Sequence, residues 1–441
     1  MKPKGLLIAV VLLAVLGGAT WWSNKKEAEK SKAPPDTATT KLLTIPDDQF
    51  QEIRIKKLTG EAIALKKESG KWQVTAPKAM PADQDAAGSM ASALANLTAD
   101  KTIEEKAGDL KPYGLEIPTL DVQVVRKNGQ TDHLLIGDDT PTGSGAYAKL
   151  AGDARVVTVS STTKTSLDKR PDDLRDKRLL TFDSDKLSRV DLAAKGPAVE
   201  FGKNGQNEWQ IVKPRPLRAD GSAVDGLISK LKDAKMDLSG DAATEDAAKK
   251  FAAAAKVATA TMTDAGGTQT LEVRRDKDKS VYAKSSAVEG VFKANADLAD
   301  ALDKGVDDFR NKKLFDFGFS DPGKVELKGV SYTKNGDKWM SGAKTMDNGG
   351  VQNLIDKLRD LASVKFVEKG GGQPLFEVAV TSNSGKRVEK VTIFKLGDQH
   401  FAQREGEPSI YELDGKAVEE LMKAAADVKE AAPEPKAAKK K

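Results

Sequence analysis

The stretch Leu174–Phe182, LRDKRLLTF, aligns residue for residue with Phe309–Phe317, FRNKKLFDF, 309 − 174 = 135 positions further on. Two more anchors recur in the same order. Tyr147-Ala148-Lys149 returns as Tyr282-Ala283-Lys284 after 135 positions, and Trp72-Gln73-Val74 as Trp209-Gln210-Ile211 after 137. The latter pair is followed by Pro77 and Pro214, and Trp339 stands a further 130 residues along. One shared tripeptide is chance. Three at nearly one shift mark a duplicated unit, which outranks any local motif in deciding architecture. The 441 residues leave room for about three domains of ~150 residues each.

The segment after each tryptophan extends the repeat to a third copy. Asp83, Asp220 and Asp347 each open an amphipathic pattern. A carboxylate there can accept from the orphan N–H groups of a first helical turn and suits the positive end of the helix dipole. Seven residues on stand Met90, Leu227 and Leu354; eleven on, Leu94, Leu231 and Leu358; fourteen on, Leu97, Ala234 and Leu361. These spacings fall on one face of a 3.6-residue helix, so each unit is expected to bury one capped helix by the same stripe. Trp72, Trp209 and Trp339, fixed in position beside that helix, read as core anchors in preference to sugar-stacking platforms.

The remainder of each unit alternates in strand fashion. EIRIKKL (52–58), AIALKKE (62–68) and KWQVTAP (71–77) form a meander. After the helix come 121–127, 132–138, 146–150 and 155–160, separated by turn signals such as Asn128-Gly129. The expected class is α+β: three tandem units of short antiparallel strands with one amphipathic helix each, preceded by a single N-terminal transmembrane helix. The expected boundaries are a membrane anchor at 1–22, a disordered tether at 23–40, repeat units at 41–179, 180–313 and 314–430, and a disordered basic tail at 431–441. In this reading LRDKRLLTF and FRNKKLFDF splice one unit to the next.

Composition excludes several chemistries. Without cysteine there is no disulfide framework, thiolate nucleophile or cysteine metal site, and two histidines far apart, His133 and His400, argue against a histidine metal centre. A net charge of +5, with both signs interspersed, is a solvated mixed surface and not a nucleic-acid footprint.

The start of the chain is basic, and Gly5 to Trp22 carries no charge. That run is just long enough to cross a bilayer, with Trp21 and Trp22 suited to the headgroup boundary. A membrane anchor is favoured. A cleaved signal peptide is the second reading, with Gly17 and Ala19 as small residues before a cut, and a buried helix the third. Lys2 and Lys4 before the run against Lys25, Lys26, Lys30 and Lys32 after it would on their own favour a cytoplasmic body. Large domains translocate largely regardless of flank charge, and the basic start and apolar run together favour a body outside the cytoplasmic membrane.

Catalytic constellations are hard to find. The chain has no phosphate-binding G-x-x-x-x-G-K-[ST] and no G-x-S-x-G. Gly137–Lys149 reads as a solvated hairpin connection, with Ser144 as a turn residue. Asp138-Asp139 and Asp172-Asp173 read as solvated acids, and His133 as a polar strand position. No cofactor and no metal are expected.

The repeated W-Q-V…P…D units, PYGL at Pro112–Leu115, LIG at Leu135–Gly137, YAK and LRDKRLL resemble an uncharacterised bacterial family, a domain of unknown function. Its members are often encoded beside gliding-motility-type ABC transporter genes. The resemblance covers about 41–320; the third unit lacks YGL and keeps Phe401-Ala402-Gln403 where YAK would stand. No catalytic residues are established for the family. It implies an accessory envelope component of a transport system.

The expected function is therefore a membrane-anchored, non-enzymatic accessory or scaffold subunit, contacting membrane lipid through its N-terminal segment and ABC-type transporter subunits through its body, with no nucleic acid. Extended repeat arrays present surface more readily than one deep pocket. Arg175, Lys177 and Arg178, recurring as Arg310, Lys312 and Lys313, are the candidate docking cations. The alternatives are an envelope glycan- or lipid-binding protein, with a cleft between units, and a periplasmic hydrolase released by signal cleavage.

Overall fold

The computed structural model describes residues 40–238, 244–319 and 322–432. The anchor expected at 1–22, with Trp21 and Trp22, lies outside the described residues, as do the tether expected at 23–40 except Thr40, which pairs with Ala99, and the tail expected at 431–441 except 431 and 432, where Ala431 N–H donates to Thr345 O. Among the described residues no helix is long and apolar enough to cross a membrane.

The α+β expectation is overturned. Strands make up 43% against 23% helix, in four antiparallel sheets, so the class is mostly β. Three large sheets follow one another along the chain, here called the first, second and third modules. The second runs, edge to edge, through Leu217–Arg218, Trp209–Lys213, Val199–Lys203, Arg189–Ala193, Ala255–Asp264, Gly267–Arg275, Val281–Ser285 and Val291–Lys293. The third repeats this order from Lys344–Thr345 through Lys324–Leu327 and Gln373–Ser382 to Ile410–Leu413, and adds Ser363–Val367 at the far edge. The first runs from Met80–Pro81 through Phe50–Lys57 and Leu120–Arg126 to Lys101–Glu104, and Thr40–Lys41 pairs separately with Thr98–Ala99. The chain divides into two compact units, 1–177 with the first module and 178–441 with the other two.

One helix per module also falls short. The capped helices are Gln84–Ala95, Gly221–Lys232 and Asn348–Asp360, and every module carries at least one more, such as Ser161–Leu167, Thr244–Ala253 and Gly415–Asp427. Asp83, Asp220 and Asp347 cap as their charge suggests. Asp83 accepts from the N–H groups of Asp85 and Ala86, Asp220 from Ala223 and Asp347 from Gly350. The residues seven and eleven positions on are buried. Those fourteen on, Leu97, Ala234 and Leu361, are buried too but lie just past the helix ends.

Strand bulges keep the apolar residues on one face. In Phe50–Lys57 the pairing register slips between Phe50 and Glu52. An extra residue in one strand reverses the facing of the residues beyond it. Phe50, Ile53 and Ile55 therefore all enter the core while Gln51 and Arg54 stay outside.

The motifs of the resemblance meet around one strand. Gly137, in Thr131–Asp139, lies so close to Tyr113 that an added Cβ would stand 2.1 Å from the Tyr113 carbonyl oxygen. Tyr113 in turn meets Tyr147 edge-on, ring centres 5.0 Å apart. PYGL, LIG and YAK are thus a single packing arrangement. In the second module the helix Thr244–Ala253 takes over that role, with Phe251 packed against Tyr282.

The repeated LRDKRLLTF stretch has two halves with separate partners. The first half closes its own module. Asp83 N–H donates to Leu174 O at 2.8 Å, and Asp176 N–H to Pro81 O at 2.9 Å. At the end of the second module, Asp220 N–H donates to Phe309 O at 2.8 Å and Asn311 N–H to Arg218 O at 3.0 Å. The second half opens the next module. Leu179 N–H donates to Ala234 O at 2.8 Å and Leu314 N–H to Leu361 O at 3.0 Å. Leu42 N–H donates to Leu97 O at 2.8 Å in the same way. Lys41–Ile45, KLLTI, is therefore a third copy of the opening half.

Candidate functional site

The opening half of the third module is held by charge where that of the second is held by neutral groups. Leu179 O accepts from the Ser285 hydroxyl, and Thr181 N–H donates to Gln269 Oε1 at 2.8 Å. At the equivalent places Leu314 O accepts from the Arg404 guanidinium, and Asp316 N–H donates to the Glu389 carboxylate at 3.0 and 3.1 Å. Ser285 follows Tyr282-Ala283-Lys284 as Arg404 follows Phe401-Ala402-Gln403. Gln269 stands opposite Met262 in its sheet as Glu389 stands opposite Val380.

Around these pins the joint between the second and third modules is an ion network. Arg218, from the edge strand of the second module, donates to Asp316 and to Lys313 O, and its Nε lies 2.9 Å from Glu407 Oε1. Tyr411 OH donates to Glu407 Oε2 at 2.6 Å, and Arg404 pairs with Glu407 at 2.7 Å and Glu389 at 2.9 Å. The Arg404 and Glu389 side chains are only 11% and 5% exposed, so this is an interior pair. Desolvating such ions costs several kcal/mol each, and the cost is offset only when every charge keeps its partners. Burial works against the charge of Arg218, but Asp316, then Tyr411 and Glu407, outweigh it and hold the guanidinium above its ordinary pKa. Burial pushes the Tyr411 phenol up as well.

Arg310 corrects an expectation. It was a candidate docking cation, yet it is buried, its guanidinium 3.3 Å from the centre of the Phe366 ring and donating to Ser409 Oγ at 2.9 Å. It is a strut from the end of the second module into the third. Lys312 and Lys313 beside it are exposed, as is Arg178; Arg175 and Lys177 are half-buried. Arg175 and Arg178 also form backbone bridges with Ala82 and Lys235. The six cations do not form one surface of equivalent groups.

Beside the network opens a cleft of about 540 Å³, with Trp209, Gly221, Arg218, Asn311, Asp316 and Arg387 among its walls. Here the three tryptophans part company. Trp72 and Trp339 are 3% and 5% exposed, but Trp209 is half-buried. One neighbouring position differs in step with this. In the first module Gln84 clamps the tryptophan strand, accepting from Trp72 N–H at 2.8 Å and donating to Trp72 O at 2.9 Å. In the third, Asn348 accepts from Trp339 N–H at 3.2 Å. The second module has Gly221 there, and a Cβ added to it would meet nothing within 4 Å. The Trp209 indole N–H donates instead to Asp225 at 3.1 Å, and Lys203 Nζ stands 5.0 Å from its ring centre. Trp209 thus packs against the core of the second module and also walls the cleft.

Two of the three acids of the cleft are paired with cations, and the third, Asp225, accepts from the Trp209 indole. Asp316 pairs with Arg218 and accepts from Asn311 Nδ2 at 2.9 Å; Glu208 pairs with Arg387 at 2.8 Å. Hydrogen bonds from Asn204 and then Arg387 hold the Glu208 carboxyl below its ordinary pKa. The pairing suits binding and positioning more than proton transfer, which needs a group poised to change its charge.

The other sequence candidates are dispersed. His133 Nε2 lies 2.6 Å from Asp121 Oδ1 across two strands, Asp139 pairs with Lys164 and Asp173 with Arg170. Among the described residues no three metal-ligating side chains gather.

Fold and site define a tandem array of mostly-β modules, each closing a capped helix onto its sheet, with a charged joint and a polar cleft between the last two. The chain belongs to the family described as "Domain of unknown function (DUF4340)", which matches it twice, over residues 72–208 and 209–375. The two matches begin at Trp72 and Trp209, so they run out of phase with the sheets, each crossing from one module into the next. No curated protein and no solved structure matches the chain.

Proposed function

We infer that the chain is a non-catalytic accessory or scaffold subunit of a bacterial envelope transport system. It is localised at the cytoplasmic membrane through its apolar run at 5–22, with its body outside and in contact with ABC-type transporter subunits. The observation that carries the scaffold reading is the Arg218–Asp316–Glu407–Arg404–Glu389 network, which ties the second and third modules together. A scaffold must hold its contact surfaces at fixed spacing, and interior ion pairs demand one geometry because any displacement strands a charge. The engaged acids of the cleft support a binding role over a catalytic one. The transport assignment rests on the company the resembling genes keep.

The test is affinity purification of the full-length chain from detergent-solubilised membranes, with mass spectrometry of what accompanies it. Transporter subunits in stoichiometric amount are expected. A chain released by carbonate washing, or purified alone under mild solubilisation, contradicts the reading.

A further inference from the structure

We propose that the cleft at Trp209 and Gly221 binds a neutral saccharide. The proposal does not rest on the scaffold reading. Three features of the site select this class. The first is charge balance: Arg218 pairs with Asp316, and Arg387 with Glu208, on the cleft walls themselves. Lys203 and Asp225 complete a lining of three cations and three acids, so the walls carry no net charge and suit a ligand that carries none. The second is the shape of the polar groups. Guanidinium, carboxylate and carboxamide are planar and offer paired donors and acceptors, matching vicinal hydroxyls. Asn311 is oriented by its bond to Asp316, and so presents a preset amide. The third is Trp209, whose indole is partly open, held by Asp225, and offers an apolar face of the kind that covers the C–H face of a pyranose.

The comparison between modules makes the cleft a built feature. The tryptophan, the aspartate cap and the facing lysine occur in all three, as Lys67, Lys203 and Lys334 pair across from Trp72, Trp209 and Trp339. The clamp is absent in the second alone, where Gly221 leaves room at the helix start. At about 540 Å³ the cleft falls within the range of small-molecule sites, though it is too polar for a lipid chain.

The test titrates the full-length chain, in a detergent without a sugar headgroup, with maltotriose, cellotriose and chitotriose. Calorimetry and tryptophan fluorescence are the readouts. Saturable binding of at least one probe is expected, weakened tenfold or more by Gly221→Gln, which restores the clamp of the first module, and by Trp209→Ala. Unfolding midpoints and circular dichroism establish that both variants fold; Asp225→Ala replaces either one that does not. Binding unchanged in the folded variants overturns the proposal. So does the absence of binding to all three sugars at 10 mM (about the weakest range a specific site would show). A saturable response to inorganic phosphate or to a pentaglycine peptide, with none to the sugars, assigns the cleft to another ligand class and equally overturns it.

Discussion

Glu389 stands where the second module has Gln269, and the two side chains take the same backbone N–H. Gln269 accepts from Thr181 at 2.8 Å; Glu389 accepts from Asp316 at 3.0 and 3.1 Å. The hydrogen bond is common to both modules, and the charge belongs to one.

That difference separates two substitutions. Glu389→Gln keeps an acceptor for Asp316 N–H, and Arg404 keeps Glu407, so the loss should be about 1–2 kcal/mol. Arg404→Met leaves Glu389 buried without its ion partner and should cost about 3–5 kcal/mol. Urea unfolding of the two variants checks the ranking; equal losses would mean that the network does not act through charge.

The tryptophans should differ in the same assay. Trp72→Ala empties a closed core position and is expected to cost about 3–5 kcal/mol. Trp209→Ala removes a half-buried ring with open space beside it, so less cavity is created and the cost should stay under about 2 kcal/mol. A Trp209 loss as large as that of Trp72 would mean that the ring contributes to the core as fully as Trp72 does.

The cations of the repeated stretch should divide by burial. Arg310→Ala removes the stack on Phe366 and the bond to Ser409, at about 2–4 kcal/mol. Lys312→Glu and Lys313→Glu act on exposed side chains and should each change stability by under about 1 kcal/mol. Pairing these unfolding curves with partner capture from membranes tells whether the exposed lysines dock: folded charge-reversed chains that still capture the partner remove them from the contact surface.

In the first module the Arg155 side chain and backbone N–H both bond Asp153, holding its carboxyl at about 2, below the ordinary 3.8. A depressed carboxylate stabilises the fold above its unfolded pKa, and the contribution fades as pH falls through the folded value. The contribution of Asp153 should thus be full above about pH 4 and lost toward about pH 2. NMR titration of the Asp153 carboxyl carbon reads this directly. Arg155→Met should raise the midpoint part of the way, since the backbone N–H remains.

Much of the repeat was legible because its signals are local. AIALKKE at 62–68 is a strand over those very residues, and the strands read at 121–127 and 132–138 lie within a residue of those observed. The three aspartate caps were readable because capping chemistry sits within one turn of the residue that supplies it. The class was misjudged where patterning is weak. Two-residue edge strands such as Leu217–Arg218 have no alternation, and Ala255–Asp264 comes after an alanine-rich helix with small residues facing the core. The third copy of the opening half, at Lys41–Ile45, could have been found by carrying the 137-residue shift of the tryptophans back from Arg178. The network could not. It joins Arg218 to residues about a hundred and two hundred positions away, and no short-range pattern marks such pairs. Gly221 carried a readable hint, standing where the other copies have Gln84 and Asn348, but its meaning depends on what those amides clamp.

If charge locks the second and third modules into one body, their two capped helices keep a fixed separation. Because the chain has no cysteine, Ser229→Cys and Asn353→Cys supply two unique sites, one on each capped helix and both exposed. Spin labels at those sites allow the distance between the helices to be measured by double electron–electron resonance. One narrow distance distribution is expected, broadening when Arg218→Ala is added. A distribution already broad in the unsubstituted joint, or one that Arg218→Ala leaves unchanged, would contradict a lock by charge.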